Sequence, residues 1–156
     1  MPKASNKGFT LIELLVVIAL VGILSTLALA NISAARGRSR DAQRKSDLRS
    51  IETALRLYYN DNNYYPLSDT TGNILGCGVD GTSVCTWGEQ WSVGTTVYMP
   101  KLPGDPLSVQ SYQYEVLDSG DSFTLSSCLE NESDDKGEST TDTTWCPSGW
   151  MYQVTL

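Results

Sequence analysis

The 156-residue sequence contains no histidine. That one absence excludes His-based triads, imidazole general bases and His-ligated zinc together. Basic residues are scarce in the distal part, where beyond residue 57 only Lys101 and Lys136 remain against fourteen Asp and Glu. Phosphate is repelled by such a surface, so nucleic-acid binding by this part is not expected. No two of the four cysteines have the C-x-x-C spacing of zinc or thioredoxin-like sites. Between Phe9 and Ala35 there is no Lys, Arg, Asp or Pro. Nothing in that stretch interrupts a helix or gives it a charged face.

What the stretch does hold is Leu, Ile, Val and Ala, with Glu13 as its one charge. At least ~20 apolar residues suffice to cross a bilayer as a helix, so residues 9–35 are expected to do so. A carboxylate there costs roughly 2.5–3.5 kcal/mol on insertion scales, and Glu13 therefore calls for a partner. Met1 to Gly8 is a short polar leader carrying Lys3 and Lys7. It has the character of a signal n-region, but the apolar run exceeds a signal peptide's core, so a retained anchor is expected. Gly22, Thr26 and Ala30 fall at i, i+4 and i+8, a small-residue stripe suited to close helix contact.

The helical pattern continues past the apolar run. From Ser33 to Tyr59 there is no proline, and Gly37 is the one weak point. Ala42, Leu48, Ile51, Leu55, Tyr58 and Tyr59 recur at mostly three- and four-residue spacing. Asn60-Asp61-Asn62-Asn63 ends the helix with turn formers, and Tyr64-Tyr65-Pro66 opens a new segment. Arg36, Arg38, Arg40, Arg44, Lys45, Arg49 and Arg56 crowd along this half. They can meet anionic lipid, DNA or the acidic face of a neighbouring copy, and the last is preferred because one molecule supplies both signs. Positive-inside reasoning would place this cluster in the cytoplasm. The cysteines argue the reverse, and on their account the acidic domain is expected outside the cytoplasm.

Cys77, Cys85, Cys128 and Cys146 all lie in the acidic part. An even count behind a membrane segment suggests two disulfides in an oxidising compartment. Of three connectivities, Cys77–Cys85 with Cys128–Cys146 closes short loops and is expected; buried free thiols are the alternative. Residues 67–96 read as a long surface loop covered by Trp87 and Trp91. Residues 112–117 and 123–129 read as two strands joined by the turn Asp118-Ser119-Gly120-Asp121, with a last strand within 149–156. Residues 130–144 are an exposed acidic loop. The expected fold is α+β, a long N-terminal helix packed on a small antiparallel sheet. It divides into a leader (1–8), a membrane and assembly helix (9–35), an amphipathic continuation (36–60) and a globular head (61–156).

Lys7-Gly8-Phe9-Thr10-Leu11-Ile12-Glu13 followed by an unbroken apolar helix resembles the type IV pilin-like superfamily, which includes type IVa pilins and type II secretion pseudopilins. Tyr64-Tyr65-Pro66, Pro103-Gly104-Asp105-Pro106 and Tyr112-Gln113-Tyr114 are similar to the major pseudopilin. The resemblance covers residues 1–66 closely and 97–130 loosely, and it is absent from the first disulfide loop. It implies cleavage between Gly8 and Phe9 by a prepilin peptidase and N-methylation of Phe9. It implies too that Glu13 neutralises the freed amine of an adjacent subunit during assembly into a homopolymer on a membrane platform. Where family helices commonly carry a proline, this chain has Ala30. Major pseudopilins often hold calcium in an acidic loop. Glu130, Glu132, Asp134, Asp135, Glu138 and Asp142 supply oxygens here, with Asp134 and Asp135 as the adjacent pair, but without EF-hand spacing. No cofactor is required, and calcium is the one option.

Cys128 and Cys146 bracket this loop as in many type IV pilins, which tilts the expectation toward a pilus filament subunit over a pseudopilin. The precursor would sit in the cytoplasmic membrane and the product in an extracellular pilus or periplasmic pseudopilus. A membrane-anchored binding module is the reading from another class, and an enzyme is not expected.

Overall fold

The computed structural model describes residues 8–156, and residues 27–31 through their backbone alone. One α-helix, α1, runs Leu11–Asn62. It ends where Asn63 turns left-handed at φ 62° and its N–H closes on the Tyr59 carbonyl at 2.7 Å, a common helix stop. By internal contacts the chain separates into two units, Met1–Gly37 and Arg38–Leu156. The division falls at Gly37, the weak point of the helical pattern.

In the first unit the described large apolar side chains of α1, from Leu11 to Leu24, are exposed. The second unit combines the rest of α1 with strands β1 Leu67–Ser68, β2 Ile74–Cys77, β3 Ser83–Val84, β4 Trp91–Val93, β5 Thr96–Met99, β6 Gln113–Leu117, β7 Ser122–Cys128, β8 Glu138–Ser139 and β9 Trp150–Thr155. They form antiparallel sheets in the orders β1-β2-β3, β4-β5 and β6-β7-β9-β8. This is the expected α+β arrangement, with the strand content divided among several small sheets.

Leu48, Ile51, Leu55 and Tyr58 carry the buried stripe of α1, and they pack against Trp91, Leu102, Tyr112, Tyr114, Phe123 and Leu125. Burying such side chains contributes about 1.5–3 kcal/mol each, which adds to the helix propensity of the Ala, Leu, Arg, Lys, Gln and Glu in this half. The expected strands at 112–117 and 123–129 are β6 and β7. The turn between them puts Asp118, Ser119 and Gly120 at φ 49°, 59° and 106°, conformations that Asp, Ser and Gly tolerate better than bulky residues.

Residues 67–96 depart from the expected surface loop, since β1 to β4 lie within them. Ile74 and Trp91 are fully buried there. The Trp91 indole N–H donates to the Gly76 carbonyl at 2.8 Å. A Cβ on Gly76 would come within 2.9 Å of Pro66 Cβ, so this close approach of strand to chain needs glycine. Strands of two to four residues are too short to print an alternating pattern.

The disulfides join Cys77 to Cys85 and Cys128 to Cys146, the short-loop pairing. Their sequence separations are 8 and 18 residues. On loop-closure entropy, replacing Cys128 and Cys146 together by Ser should cost about 3 kcal/mol of unfolding free energy, and Cys77 with Cys85 about 2.5 kcal/mol. Urea denaturation of the two double variants checks both the size and the order.

Candidate assembly site

Gly8, Phe9 and Thr10 have no regular structure, and Phe9 is 83% exposed. Helix α1 begins at the next residue because Thr10 and Glu13 cap it reciprocally. The Glu13 N–H donates to Thr10 Oγ1 at 3.3 Å, and the Thr10 N–H donates to Glu13 Oε2 at 2.9 Å. The Thr10 hydroxyl adds a bond to the same Oε2 at 2.8 Å. This is a capping box, T-x-x-E, worth about 1 kcal/mol to the helix start. Both bonds to the carboxylate use the same oxygen, Oε2. Among the described residues Oε1 accepts none, so Glu13 can cap its own helix and still receive a second donor.

Further along, the Ser25 and Thr26 hydroxyls donate to the carbonyls of Val21 and Ile23 at 2.7 and 2.8 Å. They need no water, and suit an apolar surrounding. A Cβ on Gly22 would meet nothing within 4 Å, while the side chain of Ala30 lies outside the described residues. Among the described residues no helix is long and apolar enough to cross a membrane, and the expected span of 9–35 includes side chains outside that set. The leader up to Lys7 also lies outside it.

A second site is built from the basic half of α1. For three of these cations the expectation of a neighbour is not met, because Arg40, Arg44 and Lys45 turn into the head of their own chain. Arg44 is fully buried. Its Nε and Nη2 donate to Asp105 Oδ2 and Oδ1 at 2.7 and 2.8 Å, a bidentate pair. Its Nη1 donates to Asp41 Oδ1 and Glu130 Oε1, both at 2.8 Å, and Nη2 also reaches Gln110 Oε1 at 3.0 Å. Arg40 grips Glu130 bidentately at 2.7 and 2.6 Å. Asp41, also buried, accepts the backbone N–H groups of Glu130 and Asn131 at 3.0 and 2.9 Å. Lys45 pairs with Asp134.

The electrostatics follow from this packing. Hydrogen bonds from Arg40, and then from Arg44 against the opposing effect of burial, hold the Glu130 carboxyl down at about 2. The Lys45 hydrogen bond lowers Asp134. For Arg44, burial pulls the guanidinium down, but hydrogen bonds to Asp105 and Glu130 outweigh it and the net shift is upward.

The proposed calcium pair does not fit a metal. Asp134 Oδ2 faces the Lys45 ammonium, and Oδ1 accepts the Lys136 backbone N–H at 3.0 Å. Asp135 is exposed, and among the described residues no three His, Cys, Asp or Glu converge on a metal position. Glu130 spends its oxygens on Arg40 and Arg44. At Glu130 and Asp134 the cations are the chain's own side chains.

Sequence reasoning did not single out Asp41 and Gln110, and it named Arg44 and Asp105 without foreseeing that they pair. A signal existed: Asp41 and Arg44 fall on the same i, i+3, i+7 stripe as Leu48, Ile51 and Leu55. A charge on an apolar stripe asks for a buried partner.

A helix that opens on an acid-capped turn, exposes an apolar face, and then carries a disulfide-tied sheet unit defines a pilin-like subunit. Comparison with known proteins agrees. Residues 3–29 match the prokaryotic N-terminal methylation motif, and residues 31–145 match type II secretion system protein G. The chain belongs to the type II secretion system protein G family. The type II secretion system core protein G of Aeromonas hydrophila is 34% identical over 106 residues, 68% of this chain and 71% of the relative. That of Pseudomonas aeruginosa is 32% identical over 114 residues, 73% of this chain and 76% of the relative. The type IV major pilin protein PilA of Myxococcus xanthus is 37% identical over 60 residues, which are 38% of this chain and 27% of the pilin. No solved structure matches the chain significantly.

Replacing Arg44 by Met strands the carboxylates of Asp41 and Asp105 in the interior, and should cost about 3–5 kcal/mol, measurable by urea denaturation. The pH dependence has a defined sign. Glu130 is depressed from its ordinary 4.5 to about 2, so its contribution is present above pH 4.5 and is lost as pH falls toward 2. The melting temperature should stay level between pH 7 and 5 and drop below about 4.5, and Glu130→Gln should flatten that drop.

Proposed function

We propose that this chain is the major subunit of a type II secretion pseudopilus, cut between Gly8 and Phe9, N-methylated on Phe9 and polymerised through α1. The observation that carries the reading is Glu13: the one carboxylate on an exposed apolar helix face, with one oxygen used by its own cap and the other accepting no bond among the described residues. Cleavage before Phe9 frees an amine next to a neighbouring helix. Four residues along, Glu13 reaches a copy offset by about one helical turn. Pairing the two charges offsets a desolvation that neither bears well alone.

Membership of the protein G family favours a pseudopilus over the surface pilus expected from the disulfide-bracketed loop. The likeness to a pilin extends over a shorter stretch, and keeps a surface fibre as the second reading. On either reading the precursor is anchored in the cytoplasmic membrane with its disulfide-bonded head outside the cytoplasm. Its partners are a prepilin peptidase, an assembly platform and further copies of itself. Its role is structural, and it needs no cofactor.

Two substitutions separate the charge of Glu13 from its cap. Glu13→Gln retains a capping-box residue and removes the charge, whereas Glu13→Ala removes both. Both variants should be processed, with intact mass showing loss of residues 1–8, and both should fail to assemble fibres. Normal fibre yield from Glu13→Gln would remove the charge-pairing mechanism. In a strain deleted for the chain, loss of an exported enzyme with surface fibres retained would support the pseudopilus over the pilus.

A further inference from the structure

Beyond Arg36, which lies in the first unit, the cations of α1 divide into two sets. Arg40, Arg44 and Lys45 are taken up by the head, and Arg56 pairs along the helix with Glu52 at 2.7 Å. Arg38 and Arg49 are exposed and form no salt bridge among the described residues. Eleven residues apart, they stand about three turns, or roughly 16 Å, along one side of the helix. Ala42 and Ser46, small and exposed, lie between them, so a partner can come close. The core-facing residues Leu48, Ile51 and Leu55 point elsewhere.

The opposite sign is concentrated in the loop between β7 and β9. Glu132, Asp135, Glu138 and Asp142 are exposed and form no salt bridge among the described residues, with Lys136 as the one cation among them. The loop is held at its base by Cys128–Cys146, and against α1 through Glu130 and Asp134.

We propose that the α1 face carrying Arg38 and Arg49 is the docking surface for the Glu132–Asp142 acidic loop of a second copy of this chain. The inference rests on the polymer reading above and adds the contact made by the head. Charge complementarity selects the occupant, since each copy carries a spare cationic face and a spare anionic loop. A contact between two different patches is heterologous and propagates into an open helical array.

The test is charge reversal in the full-length chain within its native assembly machinery. Fibre yield is read beside the amount of processed subunit, the disulfide count and the melting temperature. Arg38→Glu with Arg49→Glu should lower fibre yield on the order of tenfold or more through like-charge contact, leaving processing and melting temperature unchanged. Glu132→Arg with Asp135→Arg should do the same, and the four substitutions combined in one chain should restore fibres. Should the reversed loop fail to fold, Arg38→Gln with Arg49→Gln should give an intermediate loss, and raising salt during assembly should lower the wild-type yield while changing this variant's less. Unchanged yield overturns the proposal. So does loss without rescue in the combined variant, which assigns the cations to anionic lipid or DNA instead. Absence of fibres from the wild-type chain would indict the polymer reading rather than this contact.

Discussion

The head depends on one guanidinium. Arg44 is sealed from solvent and meets carboxylates from α1 itself, from the loop after β5 and from the loop after β7. A buried ion pair adds little net stability compared with an apolar substitute of the same shape. Its effect is on uniqueness, because any slip of the helix by a residue leaves several charges buried and unpaired. The apolar stripe of Leu48, Ile51 and Leu55 supplies adhesion that is tolerant of small shifts. Arg44 and Asp41 supply the register.

Much of this was legible in the sequence, and the limits have physical causes. The helix, its end near Asn62, the hairpin of β6 and β7 and the final strand are long or strongly patterned, and local chemistry announces them. The cysteine pairing followed because short loops are entropically near at hand. The region of β1 to β4 did not show itself, since its strands draw their order from the burial of Ile74 and Trp91, a tertiary event. The acidic loop misled in another way. Counted along the chain, its carboxylates look like vacant ligands. Folded, Glu130 and Asp134 face Arg40, Arg44 and Lys45, which lie roughly ninety residues away in sequence. Composition records charge and cannot record which charge is already answered.

Glu13 and Arg44 make the same point from opposite sides. Each is a charge on a helix stripe that is otherwise apolar. Arg44 finds its partners within the chain, and its site is closed to further chemistry. Among the described residues Glu13 finds only Thr10, which engages one oxygen and contributes no positive charge. An uncompensated carboxylate on a face of exposed Leu, Ile and Val is tolerable in a lone subunit only while water or headgroups reach it. It becomes favourable when a cation of another copy arrives. On the proposed reading, the electrostatics distinguish a completed structural site from one that assembly would complete.

The same distinction explains why the acidic loop is fastened so heavily. A loop of this length, rich in Ser and Thr, would be mobile if tied only at its ends, and docking it would forfeit that freedom. Ordering a side chain or loop at an interface costs about 0.5–1.5 kcal/mol per immobilised rotamer-rich residue. The disulfide at its base and the cations of α1 beneath it meet that cost during folding, before any partner is present. The facing surface is a regular helix, which has little left to lose. Two pre-ordered surfaces of opposite sign can then associate weakly, one contact at a time, yet add up along a polymer in which every copy makes the same contact.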